Sequence, residues 1–358
     1  MPIPTRLRNP KFVIAIGIVA LIVIAGIVVA ITTSARHNNN RTANALNSLP
    51  PVTTTTQPNP PCPYTGLPSP SPQIPQRNPI AVKVDNYPDA RPQSGLDKAD
   101  IVFEEPVEGG VTRLVAVFQC NQADLVGPIR SAREPDVAIL DELGKPIFVH
   151  VGGIAPIEAM IQGANATNED LYYDGSIVQH TPGRIAPYDT YISTSDAWNL
   201  FPKDTNPPSP LFNYSTSPEA GIQTTSIHIP FSSTNDNTWT WNATTSLWQL
   251  FIGGSQATLS TGADIAVPNV IVMTVQTYTG PWIENSQGAH EVEVDPTSGG
   301  TLQVLRNGVS ISGTWSRRSI YAPMQLSDSA GYPIALNPGE TWIEMVPSGI
   351  PVTNSPVG

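Results

Sequence analysis

The longest uniform feature of the hydropathy pattern lies near the start of the chain. Phe12 to Ile31 is an unbroken run of twenty apolar residues and glycines. At 1.5 Å rise per residue such a run spans about 30 Å, the thickness of a bilayer core. It predicts a transmembrane signal-anchor helix over residues 12–32, with residues 1–11 as a cytoplasmic tail. Arg6, Arg8 and Lys11 precede the run and Arg36 and Arg41 follow it, so the charge bias across it is modest. The N-terminus is placed inside because the polar remainder has the composition of an exported chain. A cleaved signal peptide is the competing reading, but its apolar core is usually only about 7–15 residues.

Hydrophobic periodicity then disappears. Asn38 to Asn40, Thr53 to Thr56 and ten prolines between Pro50 and Pro75 rule out a packed core and predict a semi-extended spacer over residues 33–77. From Ile80 onwards short apolar runs alternate with turn residues. Ile80 to Val84, Ile101 to Glu105, Thr112 to Gln119 and Ile147 to Val151 read as strands. Thr112 to Gln119 is apolar on both faces and is expected in the middle of a sheet. Pro106 to Gly110 has hairpin-turn character; a hairpin closed around it sets Glu104 opposite Arg113 as a cross-strand ion pair. Ser131 is a candidate cap for a helix running to Leu143, and Ile154 to Gln162 reads as a second helix.

Lys203 to Gly221 is rich in Pro, Ser and Asn and marks a boundary. Beyond it the pattern is of strands: Thr225 to Ile229, Thr238 to Trp241, Leu247 to Phe251, Asn269 to Gln276, His290 to Val294, Thr301 to Leu305 and Thr341 to Val346. The fold class expected is α+β: a mixed α/β N-terminal domain over 78–212 and a mostly β C-terminal domain over 222–350, preceded by one transmembrane helix.

Charge narrows the function. The chain carries a net −11, but its first 41 residues hold five basic and no acidic side chains. The rest therefore has 13 basic and 29 acidic residues, a net −16. A body this acidic repels phosphate backbones, so no nucleic-acid partner is expected. The cysteine count is two, and outside the cytoplasm Cys62 and Cys120 are expected to form a disulfide. No Cys follows the apolar run directly, which disfavours lipidation there.

Candidate chemistry gathers at predicted strand ends and the loops beside them: Asp85, Asn86, Arg91, Gln93, Ser94, Glu104, Glu108, Arg113, Arg130, Arg133 and His150. Ligand sites in mixed sheets form at such places. Arginines beside acids hold a carboxylate or phosphate by forked hydrogen bonds. The same residues can equally form internal ion pairs that fix loops, and both readings stay open. Gly109-Gly110 and Gly152-Gly153 allow close backbone approach. No nucleophile elbow, P-loop, dinucleotide fingerprint or His/Cys metal spacing is present, so no cofactor and no metal are expected, and no catalytic residue is assigned. Trp239, Trp241, Trp248, Trp282, Trp315 and Trp342 are expected mainly in the core of the β part.

Several long motifs resemble one family. They are Val84-Asp85-Asn86, Arg91-Pro92-Gln93-Ser94-Gly95-Leu96, Ala99-Asp100, Glu108-Gly109-Gly110-Val111-Thr112-Arg113, Gly127-Pro128-Ile129-Arg130-Ser131-Ala132-Arg133 and His150-Val151-Gly152-Gly153, with later echoes at Asn269-Val270-Ile271-Val272, Gly313-Thr314-Trp315 and Thr341-Trp342-Ile343. The chain resembles the YerB-like family of bacterial envelope lipoproteins from about Cys62 to the C-terminus. The resemblance implies two extracytoplasmic domains of unknown function attached to a membrane, and it brings no catalytic residues. Lipoprotein members carry a modified Cys after the signal, whereas this chain is expected to keep a helix there. Tyr188-Asp189 stands after Pro187 where the family leads one to expect His-Asn.

The resulting expectation is a single-pass cell-membrane protein, its bulk extracytoplasmic, that binds a wall component or an envelope protein without catalysis. The alternative is a wall-directed hydrolase or transferase using Asp85, Glu104, Glu108 or His150.

Overall fold

A computed structural model describes residues 58–295 and 297–357. The expected transmembrane helix and most of the spacer lie outside these residues. Among the described residues no helix is long and apolar enough to cross a membrane. Residues 58–77 do not behave as a spacer. Tyr64 is fully buried and its hydroxyl donates to the Leu143 carbonyl at 2.7 Å. Cys62 is bonded to Cys120, with Cα atoms 6.1 Å apart. One aromatic anchor and one covalent tie pin the end of this proline-rich stretch to the body.

The first part of the body comprises β1 (Ile80–Asp85), β2 (Ile101–Pro106), β3 (Thr112–Phe118), α1 (Glu134–Glu142), β4 (Ile147–His150), α2 (Ala155–Gly163), β5 (Thr167–Asp170), a short pair β6 (Gln179–His180) and β7 (Thr190–Tyr191), and α3 (Thr194–Leu200). The second part is all strand: β8 (Ile222–Pro230), β9 (Asp236–Asn242), β10 (Leu247–Ile252), β11 (Ser255–Gln256), β12 (Ala266–Val267), β13 (Asn269–Val275), β14 (Thr277–Ile283), β15 (His290–Val294), β16 (Gly300–Arg306), β17 (Val309–Ser316), β18 (Gln325–Asp328), β19 (Thr341–Pro347) and β20 (Thr353–Pro356). The described body is mostly β with few helices.

The principal ladder runs β11-β10-β9-β8-β17-β16-β13-β19-β2-β3-β1-β4-β5. Its parallel β19–β2 step, with Thr341 beside Ile101 and Glu344 beside Glu104, carries the sheet from one part of the chain into the other. As its two-faced apolar sequence predicts, β3 lies inside the sheet, antiparallel to both β1 and β2.

Side-chain alternation sorts this region into two cores. Ala81, Phe103, Val115, Val117 and Phe148 face α1 and α2, packing on Ile139, Leu140, Ile157 and Ile161. Val82, Val84, Val102, Leu114 and Ala116 belong to the opposite core with Trp239, Trp248 and Trp342. Trp239, Trp248, Trp315 and Trp342 are buried, as expected, while Trp241 and Trp282 are half-buried.

Two local expectations fail. Glu104 is not opposite Arg113: Glu105 is, and Glu104 sits opposite Leu114. Pro106 stays in the ladder opposite Thr112, so the connecting loop is Val107–Val111, closed by Val107 N–H donating to Val111 O at 3.0 Å. A one-residue slip moves a side chain to the other face. Nor does Ser131 cap α1. That helix starts at Glu134, and the Asp136 carboxylate accepts from the Arg133 backbone N–H at 2.7 Å.

Candidate functional site

Strands β1, β4 and β5 are parallel neighbours, so their carboxyl ends share one edge of the sheet. Those ends are Asp85, His150 and Asp170. The crossovers place α1 and α2 on one face and leave a crevice beyond the strand ends, where ligands bind in sheets of this kind. A cleft of about 720 Å³ occupies this place, with Glu108, Arg113, Arg130, Arg133, Gly152 and Asp170 in its wall. A neighbouring recess of about 290 Å³ shares Glu108, Arg113 and Arg130 and adds Asp85, Tyr87 and Tyr188. Tyr172 and Tyr173 stand at the cleft 72% and 81% exposed, and Tyr87 stacks on Tyr188 with ring centroids 6.5 Å apart.

The three arginines have different roles. Arg133 is buried and saturated. Its Nε and Nη2 donate to Glu108 Oε2 and Oε1 at 2.8 and 2.6 Å, Nη1 donates to Ser131 Oγ and Ala132 O, and Glu284 Oε2 lies 3.3 Å from Nη2. Burial alone pushes the Glu108 carboxyl up, but the Arg133 hydrogen bonds and charge, with the Arg113 charge, outweigh it and hold the group down at about 2. This pair is an internal clamp between the β2–β3 loop and α1. Arg113 is also buried; it donates to Ser131 O at 3.2 Å, while its Nε has no acceptor. Burial and the nearby Arg133 charge lower it to about 10. Arg130 is 28% exposed, with Nε 3.8 Å from Asp85 Oδ2, and is the guanidinium most open to the cleft. Arg133 and Glu108 thus form the internal ion pair that the sequence allowed, and Arg130 is left facing the cleft.

Below this edge lies a dry ion cluster. Lys83 Nζ donates to Glu105 and, at 2.7 Å, to Asp136 Oδ1, and all three side chains are fully buried. Burial and the Asp136 charge raise Glu105 to about 8 against the opposing Lys83.

At the other end of the cleft His150 is enclosed. Its Nε2 meets Asn168 Oδ1 at 2.8 Å and its Nδ1 meets Gly152 O at 3.0 Å. Glu158 on α2 and Asp170 at the end of β5 complete a group whose candidate ligand atoms lie within 4.8 Å of one another. Gly152 has φ +61°, which lets its N–H reach Asp170 Oδ1 at 2.7 Å while its carbonyl meets His150. At Gly153 an added Cβ would stand 2.8 Å from Glu158 Oε1, so the close approach of that carboxylate needs glycine.

The remaining candidates lie elsewhere. Asn86, Arg91, Gln93, Ser94 and Glu104 belong to the opposite side of the sheet, where they join the two parts of the chain. Asn86 Nδ2 donates to Glu104 Oε1 at 3.1 Å and Thr112 Oγ1 at 2.8 Å, and Arg91 Nε and Gln93 Nε2 donate to Asn86 Oδ1. Arg91 Nη1 reaches Thr234 O and Ser94 Oγ contacts Ser260 Oγ. Glu104 accepts from Thr112, Asn237 and Trp342. Burial raises Glu104, and burial plus the Glu104 charge raises its neighbour Glu344 well above the usual carboxylate range. Paired carboxylates of this kind at the cleft are not formed by Asp85, Glu104 and Glu108: Glu104 is on the wrong face, and Glu108 cannot hold a proton near neutrality. Sequence reasoning missed Glu158, Asp170, Tyr172, Tyr173 and Glu284. The chain separations of the first two from His150 match no ligand motif, and only the β4–α2–β5 crossover unites them.

A mostly β body with its polar cleft at parallel strand ends has a counterpart among known families. Residues 64–206 match the N-terminal domain, and residues 227–343 the C-terminal domain, of a protein family of unknown function, DUF3048. The chain belongs to this family. It is 28% identical over 298 residues to the Bacillus subtilis (strain 168) protein named "Putative lipoprotein YerB", covering 80% of this chain and 86% of that one. The crystal structure of the YerB protein from Bacillus subtilis superposes with a TM-score of 0.70 at 26% identity, over 82% of this chain and 99% of that chain. The resemblance read from the motifs is thereby confirmed.

Proposed function

We propose that this protein is a membrane-anchored, extracytoplasmic module that binds an anionic wall component in the strand-end cleft. The observation that carries the reading is Arg130: a part-exposed guanidinium beside a saturated clamp, in an open cleft of about 720 Å³. That volume suits a ligand of two or three rings or residues. Arg113 and Arg130 address a carboxylate or phosphate, and Tyr172 and Tyr173 offer exposed faces for a sugar ring. The topology rests on the Phe12–Ile31 run, the buried Cys62–Cys120 disulfide and the lipoprotein name of the relative.

The test is calorimetric titration of the full-length protein in detergent with muramyl dipeptide, which carries a sugar and a carboxylate, against neutral N-acetylglucosamine. Saturable binding of the dipeptide, weakened at least about tenfold by Arg130→Ala, is expected, a charge-assisted hydrogen bond contributing about 1.5–3 kcal/mol. Binding of both probes alike, or binding indifferent to Arg130→Ala, refutes the reading.

A further inference from the structure

The crossover β4–α2–β5 assembles a second group of donors that the anion reading does not use. His150 is fully buried, and Asp170 is 9% exposed. Oxygens Glu158 Oε1 and Asp170 Oδ2 are both shielded from solvent and accept no hydrogen bond. The other Asp170 oxygen is fixed by the Gly152 and Tyr172 backbone N–H groups, at 2.7 and 3.0 Å. Asp170 Oδ2 is thus an orphaned acceptor held in a rigid carboxylate, and shielded acceptors without donors are rare because each costs desolvation energy.

The imidazole points to what satisfies them. Its Nε2 meets Asn168 Oδ1 at 2.8 Å, which leaves Nδ1 on the side of the carboxylates. Nδ1 lies 3.0 Å from the Gly152 carbonyl oxygen and 3.9 Å from Glu158 Oε1. Oxygens crowded around one ring nitrogen call for a positive charge among them, either a proton on Nδ1 or a cation in its place. With a cation on Nδ1, an Nε2–H bond to Asn168 is the outer contact that orients a ligating histidine.

We propose that His150 Nδ1, Glu158 and Asp170, with the Gly152 carbonyl, bind one divalent transition cation of the Zn²⁺ or Mn²⁺ type. One imidazole with oxygen donors and no thiolate suits these ions. Tetrahedral donors about 2.0–2.2 Å from zinc stand roughly 3.2–3.6 Å apart. The present donors lie within 4.8 Å of one another, so they must draw together on binding. Gly152, Glu158 and Asp170 line the cleft, so the cation belongs to its wall and is addressable by a bound anion. The proposal stands without the anion reading, because the donors and their burial do not involve Arg113 or Arg130.

The experiment is titration of full-length protein, stripped with a chelator and desalted, with ZnCl₂ and separately MnCl₂, followed by calorimetry. Co²⁺ substitution adds a visible spectrum that reports coordination. One cation per chain is expected, weakened at least about tenfold by Glu158→Gln and about 10–100-fold by Asn168→Ala. Both variants should retain the melting temperature of the metal-free parent. Absence of binding at millimolar cation overturns the proposal. So does binding that Glu158→Gln leaves unchanged, which would place the ion on exposed pairs such as His228–Asp236.

Discussion

Replacing Lys83 by Met isolates the buried ion cluster under the cleft. Lys83 Nζ lies between Glu105 and Asp136, and none of the three side chains touches water. Burial and the Asp136 charge raise Glu105 to about 8, and the contact with Lys83 opposes that rise. Lys83→Met leaves an anion in a dry site with no cation in contact. Removing one partner of a buried pair costs about 3–5 kcal/mol. At about 2–3 °C per kcal/mol for a body of this size, the melting temperature should fall by about 6–15 °C. Thermal and urea unfolding followed by tryptophan fluorescence measures it.

The same variant has a pH signature. A group whose folded value lies above its unfolded value of about 4.5 stabilises the fold fully at low pH and loses that contribution as pH rises through about 8. Without Lys83 the Glu105 carboxyl rises further, since the lysine is what opposes burial. The stability gap between parent and variant should therefore stay level up to about pH 8 and widen above it. A gap under about 1 kcal/mol at pH 8, or one that narrows as pH rises, refutes the account of the cluster.

Other perturbations separate clamp from cleft and body from linker. Arg133→Met strands Glu108 and Glu284 and should lower stability by about 3–5 kcal/mol in urea unfolding, whereas Arg130→Ala should change it by less than about 1 kcal/mol; equal losses would make both arginines structural. Replacing both cysteines by serine reopens the 58-residue loop between Cys62 and Cys120 and should cost about 4 kcal/mol in the chain-entropy account, read as a lowered urea midpoint. Glu344→Gln removes a carboxyl that burial and the Glu104 charge hold protonated. Wild-type stability should fall as pH rises above the unfolded value, and the variant should gain on it between pH 6 and pH 9. A constant difference across that range would mean that Glu344 does not titrate with unfolding.

Strands with continuous apolar runs were legible from the chain: β1 to β4, β13 and β19 all lie where Val and Ile cluster. β5 was not, because Thr167-Asn168-Glu169-Asp170 is polar throughout and is held at the edge of the sheet by β4. β17 was hidden by Ser310, Ser312 and Gly313, residues that give no alternation strong enough to read. The candidate site was half visible. Family-like motifs marked Asp85, Glu108, Arg113, Arg130 and Arg133, but adjacent residues such as Asp85 and Asn86 joined networks on opposite sides of the sheet. Chain proximity carries no information about face until the register is known, and the β2–β3 loop shifted that register by one. Tyr64 shows the reverse case: composition described a spacer, and a single buried ring with its hydroxyl on Leu143 overrode it.

The parallel seam between β2 and β19 has a consequence for any attempt to take the protein apart. A chain divided between the two family segments would leave each fragment with a raw strand edge rich in Ile, Val and Phe or Trp, the kind of border that recruits other chains. Each fragment's best remedy for that exposed border is the other. Co-production of the halves should therefore be a route to reassembly, and solitary production a route to clumping.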